Sequence, residues 1–533
     1  MVLGSMVGLL MLGGCGDDAA SGGAGPSDPQ FKPAPGGLRR LTGLQYIASV
    51  QVLLGDNAAA VALPPPDAQY AGSEVIAASE LSLSPADVDV YEASAIAVAS
   101  AAVADPDTRA SIIPCTATAI ADEACFEQIA DRVGRLAWRR PITELERGEL
   151  IAAGVSGATV YGTFDDGAKT MLSLILQSPD FLYQVELGDP HAADPTSRPL
   201  LPHELATRLS FFLVGETPDE ALLDLADAGG LDTAEQVREV AFDLVTRPRA
   251  KVALGDFFSE RFNLRDTASI QKNPDAFPLF TDATRAAIAR ETRLFLDEIV
   301  WTEDADALSI FDAPFTFVNE DNAWIYGLSV GGDEFQKVNL PGRSGVLTQP
   351  SFLARSAHPG ETSPTRRGKY ILEELLCQAV PPPPPGTSDV LPEAMDGDKT
   401  MRQRLAEVIV HAECRACHDR MDPIGLSLEH FDAVGVYRLD DDGLPLDTKG
   451  EAAGLAPFDG AVELGASIRG YEGAARCIVR HLYRQSMGHT EYPGEEPAIQ
   501  ALSESFVEGG HRIQSLLVEI ATSPAFRHVG DPK

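Results

Sequence analysis

The sequence predicts a mainly α protein, several helical modules in series with a small β-hairpin insertion. Three observations carry that reading: apolar residues recur with a helical period, alternating strand-like runs are few, and prolines punctuate the chain. Leu405, Val408, Ile409 and Ala412 fall at i, i+3, i+4 and i+7, which predicts a helix with one apolar face. Ile288, Phe295, Leu296 and Ile299 do the same between Asp282 and Trp301. Ile513, Leu516, Leu517 and Ile520 repeat the pattern, which stops before Pro524. The β-hairpin is expected between Tyr437 and Phe458, where Asp442-Gly443 offers a turn.

Breakers set the joints. Pro64-Pro65-Pro66 interrupts the first helical region, and Pro141 follows Arg139-Arg140 at the head of another. The run Pro381 to Pro385 lacks backbone N–H groups and has φ fixed near −65°, so it is expected to be a stiff polyproline II spacer. Gln177-Ser178-Pro179-Asp180-Phe181 and Thr522-Ser523-Pro524-Ala525-Phe526 each end a helical run with Ser-Pro-x-Phe, read as helix-stop chemistry.

The chain has 533 residues with a formal charge of −37, and 44% of them are hydrophobic, ample for sizeable cores. So acidic a field argues against nucleic acid or an anionic membrane surface as the main partner. The N-terminus reads as an export signal. Val2 to Leu12 is apolar and ends in Leu12-Gly13-Gly14-Cys15, followed by a Ser/Gly/Pro tract. That ending resembles a bacterial lipobox, which implies lipidation of Cys15, and Gly16 after it implies the outer membrane. No Lys or Arg precedes the apolar run, a departure from the usual signal.

Cys414-Arg415-Ala416-Cys417-His418 is the signature for covalent attachment of c-type haem. Two thiols three positions apart suit the two vinyl groups of one porphyrin, and the adjacent His suits an axial position on the iron. Zinc on Cys414, Cys417 and His418 is the alternative and needs a fourth ligand. A dithiol redox site would need only the two cysteines. For the second axial position Met487 ranks first, then His481 or His489, then Met421, or an open site. Met421 follows His418 by three residues, so a continuing helix would keep both on one face.

Other chemistry fails on inspection. Aligning Gly443 to the glycine of a calcium loop puts Arg438 and Lys449 where carboxylates are required, so Asp440-Asp441-Asp442 reads as a solvated turn. No Gly-x-Ser-x-Gly elbow and no His-Glu-x-x-His helix occurs. With Cys15 assigned to lipid and Cys414 and Cys417 to haem, four cysteines remain. An oxidising compartment favours pairing Cys115 with Cys125 and Cys377 with Cys477, although unpaired buried Cys is common. Trp138, Trp301 and Trp324 read as core, and Arg39-Arg40 and Arg139-Arg140 as caps or partners of acids. Arg366-Arg367 near Lys369 suits either a haem propionate or a surface ion pair, and His358 reads as structural.

The stretch from Cys414 through Met421-Asp422-Pro423-Ile424-Gly425 to Glu429, Phe431, Asp432 and Gly435 resembles the signature of a family of multidomain secreted bacterial proteins. That family is built of consecutive domains of unknown function with a cytochrome c-like haem module, here expected as a C-terminal module. Arg39-Arg40-Leu41-Thr42 with Tyr46 and Leu53-Leu54-Gly55 resembles its first module, and Trp138-Arg139-Arg140-Pro141 with Ser178-Pro179-Asp180-Phe181-Leu182-Tyr183 its second. Glu204-Leu205-Ala206 with Arg208 to Leu213 and Pro218-Asp219 resembles the third. Gly345-Val346-Leu347-Thr348, Ser363-Pro364 and Arg367-Gly368-Lys369 resemble the fourth, and Gly488 with the final Ser-Pro-x-Phe the fifth. The expected division is 1–37 signal and linker; 38–110, 111–190 and 191–335 helical modules; 336–455 proline spacer and haem motif; 456–533 a helical module packing on the haem region. The resemblance implies a cytochrome-like role; with the lipobox and the haem motif, the expectation is an exported c-type cytochrome-like lipoprotein performing electron transfer or a redox reaction through one covalent haem, with a haem-dependent oxidoreductase activity left open. A redox partner or extracellular substrate is implied, and the membrane is met only through the lipid. The alternative is an extracellular binding or assembly lipoprotein in which haem or zinc is only a structural staple.

Overall fold

Local hydrogen bonding starts the helices where the sequence places its caps. In a computed structural model, which describes residues 31–382, 399–409, 412–441 and 443–532, strand β1 (Gly37–Arg40) leads into helix α1 (Gly43–Ala59). Thr42 Oγ1 accepts the Gln45 N–H at 3.3 Å while Gln45 Oε1 accepts the Thr42 N–H at 3.0 Å, a reciprocal capping box. Helices α2 (Pro85–Ala104), α3 (Glu144–Tyr161) and α4 (Phe164–Gln177) follow, and Thr143 with Glu146 repeats the box at the head of α3. Cys15, Pro383 to Pro385 and Asp442 lie outside the described residues. Chain expected as linker is already docked from Lys32 onward: the Lys32 N–H bonds the Gly494 carbonyl at 2.8 Å, and the Gly36 N–H bonds that of Gly530.

The two Ser-Pro-x-Phe segments adopt the same geometry. Ser178 leaves the helical region after α4 and its side chain accepts from the Asp180 N–H, starting a short helix at Pro179 that runs into strand β2 (Tyr183–Glu186). Strand β3 (Arg198–Pro199) comes next, followed by α5 (Pro202–Leu213) and α6 (Asp282–Asp297). The fourth region holds β4 (Phe315–Val318), β5 (Gln336–Asn339), α7 (Pro364–Tyr370), α8 (Met401–Val408) and α9 (Ala412–Leu426). Strands β6 (Asp440–Asp441), β7 (Leu444–Pro445), β8 (Lys449–Gly450) and β9 (Phe458–Asp459) fill the expected β insertion as two small antiparallel pairs. Helices α10 (Glu472–Met487) and α11 (Ile513–Thr522) close the chain. Ser523 then caps a short helix from Pro524 that ends in β10 (His528–Val529).

Long-range pairing knits the regions together. β1 lies antiparallel to β2, with Gly37 opposite Glu186 and Arg40 opposite Tyr183, and β10 pairs with β3, with His528 opposite Pro199. One hydrophobic core runs from Leu41 to Leu182 and takes in Phe211; a second runs from Leu200 to Val529. The modules are consecutive in sequence, but they share these cores. Between the cores, Arg39 donates to Gln184 at 2.8 Å, Glu186 at 3.0 Å and the Ser486 carbonyl at 3.0 Å. Arg208 takes the other Glu186 oxygen at 2.6 Å. Burial opposes charge on Glu186, yet Arg208 and Arg39 outweigh it and hold the carboxyl at about 2. The expected helix through Leu405, Val408, Ile409 and Ala412 is instead divided. Ile409 caps α8 in a non-helical conformation (φ −89°, ψ 55°), so the chain turns before α9. Leu405 and Ile409 of that pattern pack with Met401 and Leu426 in a small satellite core.

Candidate functional site

α9 carries the whole Cys-x-x-Cys-His motif, so both cysteines and His418 project from one helix at positions i, i+3 and i+4. Its position is fixed by close approach of backbone to backbone against α7. A Cβ on Gly368 would meet the Met421 carbonyl oxygen at 1.9 Å, and one on Gly425 would meet that of Pro364 at 1.8 Å. Only glycine fits at either place. Pro423 sits inside α9 and lacks the N–H that would continue the helical ladder at this packed end.

That approach places Thr365 of α7 against the helix. Thr365 Oγ1 donates to Asp422 Oδ1 at 2.8 Å, and Asp422 Oδ2 lies 3.0 Å from His418 Nδ1. Asp422 is buried and His418 half-buried. The hydrogen bond to Asp422 is the main cause that raises the His418 pKa, with burial working against it. Cys414 and Cys417 are free thiols, both half-buried, and Cys417 rests on the larger core. Arg420 reaches the Ala379 carbonyl and Gln378 Oε1, each at 3.3 Å.

The residues after the motif build its footing. Ile424, Leu428 and Phe431 enter the larger core, and Asp432 Oδ1 accepts the N–H groups of Val434 and Val436, each at 2.9 Å. Arg367 is fully buried and donates to the carbonyls of Leu428, Phe431 and Asp432 at 3.0, 2.9 and 2.7 Å. It is therefore neither the propionate contact nor the surface ion pair expected from the sequence; the turn after α9 consumes its guanidinium. Arg139 likewise binds the carbonyls of Asp180, Phe181 and Tyr183, and Arg140 pairs with Glu146 and Asp180.

The structure bonds Cys115 to Cys125 (Cα–Cα 5.7 Å) and Cys377 to Cys477 (Cα–Cα 5.4 Å). His481 sits against the second bridge, with Nε2 at 3.0 Å from the Glu374 carbonyl and 3.5 Å from Cys377 Sγ. Burial, with Arg261 and Arg484 nearby, pushes its pKa well down. Among the described residues, Cys377, Cys477 and His481 form a group of potential ligand atoms within 4.8 Å of one another; Cys414, Cys417 and His418 do not converge in that way.

The residues ranked for the second axial position lie in different surroundings. Met487 ends α10 inside the larger core, beside the Arg39 contact to Ser486, and Met421 is buried in the same core under α9. His481 is taken up at the disulfide. His489 Nδ1 lies 3.0 Å from the Thr490 carbonyl, and its Nε2 is 3.7 Å from Glu495. Sequence reasoning missed Thr365 and Asp422. A signal for Asp422 was present, since an Asp four residues after His418 on a helix lies on the same face; nothing local marked Thr365.

No helix among the described residues is long and apolar enough to cross a membrane. Five domain families match in succession, each described as a protein of unknown function. They are DUF1587 (residues 39–104), DUF1595 (125–186), DUF1592 (200–328), DUF1588 (343–441) and DUF1585 (456–526). The fourth, also named PSCyt3, is cytochrome-like and contains α9. Neither curated proteins nor solved structures give a match. The expectation of a C-terminal haem module is corrected by the DUF1585 match, which follows the cytochrome-like domain and is the last of the series. The chain belongs to the family of proteins assembled from these five domains of unknown function in series, with the cytochrome-like domain fourth.

Proposed function

We propose that this protein is an exported c-type cytochrome-like lipoprotein. Cys414 and Cys417 would hold one covalent haem and His418 would ligate its iron, for electron transfer or a redox reaction. The observation that carries the reading is the pair of free, half-buried thiols on the same helix as a histidine whose Nδ1 is engaged by a carboxylate. A metal-bound imidazole typically has its second nitrogen held in this way. Each thiol would add S–H across a vinyl group, forming one S–C and one C–H bond with no net electron transfer. His418 would offer Nε2, and the bound haem would supply a one-electron couple.

Two disulfides in one chain accord with an oxidising compartment, where c-type haem is attached. Lipidation of Cys15 would then hold the protein at the outer membrane, and the charge of −37 favours a partner other than nucleic acid. The test is the full chain made alongside a haem-maturation system. Intact mass should rise by one haem, the reduced pyridine haemochrome should show thioether-linked haem, and Cys414→Ser with Cys417→Ser should lose both signals. A wild-type chain that emerges with two free thiols and no haem overturns the reading. Intact mass of membrane-extracted protein checks the anchor: a chain not beginning at lipidated Cys15 removes that part.

A further inference from the structure

His418 does not merely touch an acid; it ends a chain of hydrogen bonds anchored in a second helix. Thr365 on α7 donates to one oxygen of Asp422, and His418 Nδ1 meets the other. The carboxylate is buried and both of its oxygens are engaged, so its direction is fixed by α7 packing on α9 at Gly368 and Gly425. A carboxylate accepting the Nδ1 proton leaves Nε2 as the nitrogen that faces a metal. It also draws the N–H toward itself and increases electron density on the ring, which favours the oxidised, more positive iron.

We propose that Asp422 is a positioning residue that sets the His418 tautomer and lowers the reduction potential of the haem, and that Thr365 tunes it. This rests on the haem reading above. Thr365 acts in the opposite sense to the carboxylate: its hydroxyl withdraws electron density from Asp422 and weakens the pull on His418.

The contrast with His481 sharpens the assignment. There the imidazole meets a backbone carbonyl and a bridged sulfur, and no carboxylate partner turns it into a strong donor. Of these two histidines, it is His418, following the two free cysteines, that meets a buried carboxylate.

Equilibrium redox titration of the haem-loaded full chain tests the proposal, with haem content measured separately for each variant. In Asp422→Asn the reduced-to-oxidised ratio at a fixed applied potential should rise about tenfold, an upward shift of about 59 mV for a one-electron couple. Asp422→Glu should recover part of it. Thr365→Val, which leaves Asp422 in place, should shift the potential the other way by a smaller factor. If Asp422→Asn does not fold, the sign of the Thr365→Val shift decides. Haem-loaded Asp422→Asn with a wild-type potential, or Thr365→Val with an unchanged or raised one, overturns the proposal. A wild-type chain that takes up no haem instead overturns the function it rests on.

Discussion

Two clusters in this chain are made of the same residue types, two cysteines and a histidine, yet their chemistry is opposite. At Cys377, Cys477 and His481 the sulfurs are bonded to each other and the imidazole is driven toward its neutral form by burial and nearby arginines. At Cys414, Cys417 and His418 the thiols are free, and a carboxylate favours the protonated imidazole. Chain separation explains part of the difference. The first pair is 100 residues apart and is joined where the segment after α7 meets α10. The second pair lies within one turn of α9, where the backbone holds the side chains side by side. One cluster therefore staples the fold, and the other is available for a ligand.

The largest expected effect separates the two pairs directly. Replacing Cys377 and Cys477 with Ala should lower stability by about 4 kcal/mol, because a long loop is released in the unfolded chain. The change should appear as a lower denaturation midpoint. In the haem-free chain, Cys414→Ser with Cys417→Ser should change stability by no more than about 0.5 kcal/mol, since these side chains close no loop. Equal losses from both pairs would break the comparison.

Next in size is a change that touches no cysteine. Gly425→Ala would drive a methyl group into the Pro364 carbonyl and should cost about 3 kcal/mol. It should also separate α7 from α9, so hydrogen exchange should increase in α9 while the helix around Cys477 stays protected. Unchanged protection in α9 would show that the close packing there is dispensable.

The smallest effect concerns acid. The pKa of His481 is lowered on folding, so below its unfolded value of about 6.5 the unfolded chain binds a proton that the folded chain refuses. Its contribution to stability is full above that value and is lost as pH falls. The slope is about 1.4 kcal/mol per pH unit until the folded group titrates. His481→Gln should remove that slope below pH 6, measured as stability against pH in both proteins. Parallel curves for the two would mean that His481 is not held neutral.

Much of this was legible in the residues because it is local. Thr42, Thr143 and Thr400 cap their helices through partners three residues on, and Ser178 and Ser523 start the turns that their Ser-Pro signals describe. The Cys-x-x-Cys-His motif lies on a helix, where its spacing makes chemical sense. Elsewhere the pattern misled. Ile288 and Phe295 define an apolar face of α6, but fully buried Glu291 shares that side of the helix. It accepts from Thr316 and Asn322 at 2.5 and 2.7 Å, and burial pushes its carboxyl up to about 7. Periodicity cannot foresee a buried acid whose donors arrive from other elements.

By itself, then, the sequence determined the helical faces around Ile288 and Ile513, the helix stop at each Ser-Pro-x-Phe, the place of the β insertion and the motif, since periodicity and local turn chemistry act within a few residues. Tertiary structure decided that the first two modules share one core and the last three another, because that depends on β1 meeting β2 and β3 meeting β10 across the chain. It also decided that Arg367 is spent on three carbonyls and that Thr365 stands behind Asp422 and His418. A guanidinium or a hydroxyl has no role until folding has fixed which acceptor lies about 3 Å away, and that distance is set by two glycines on separate helices.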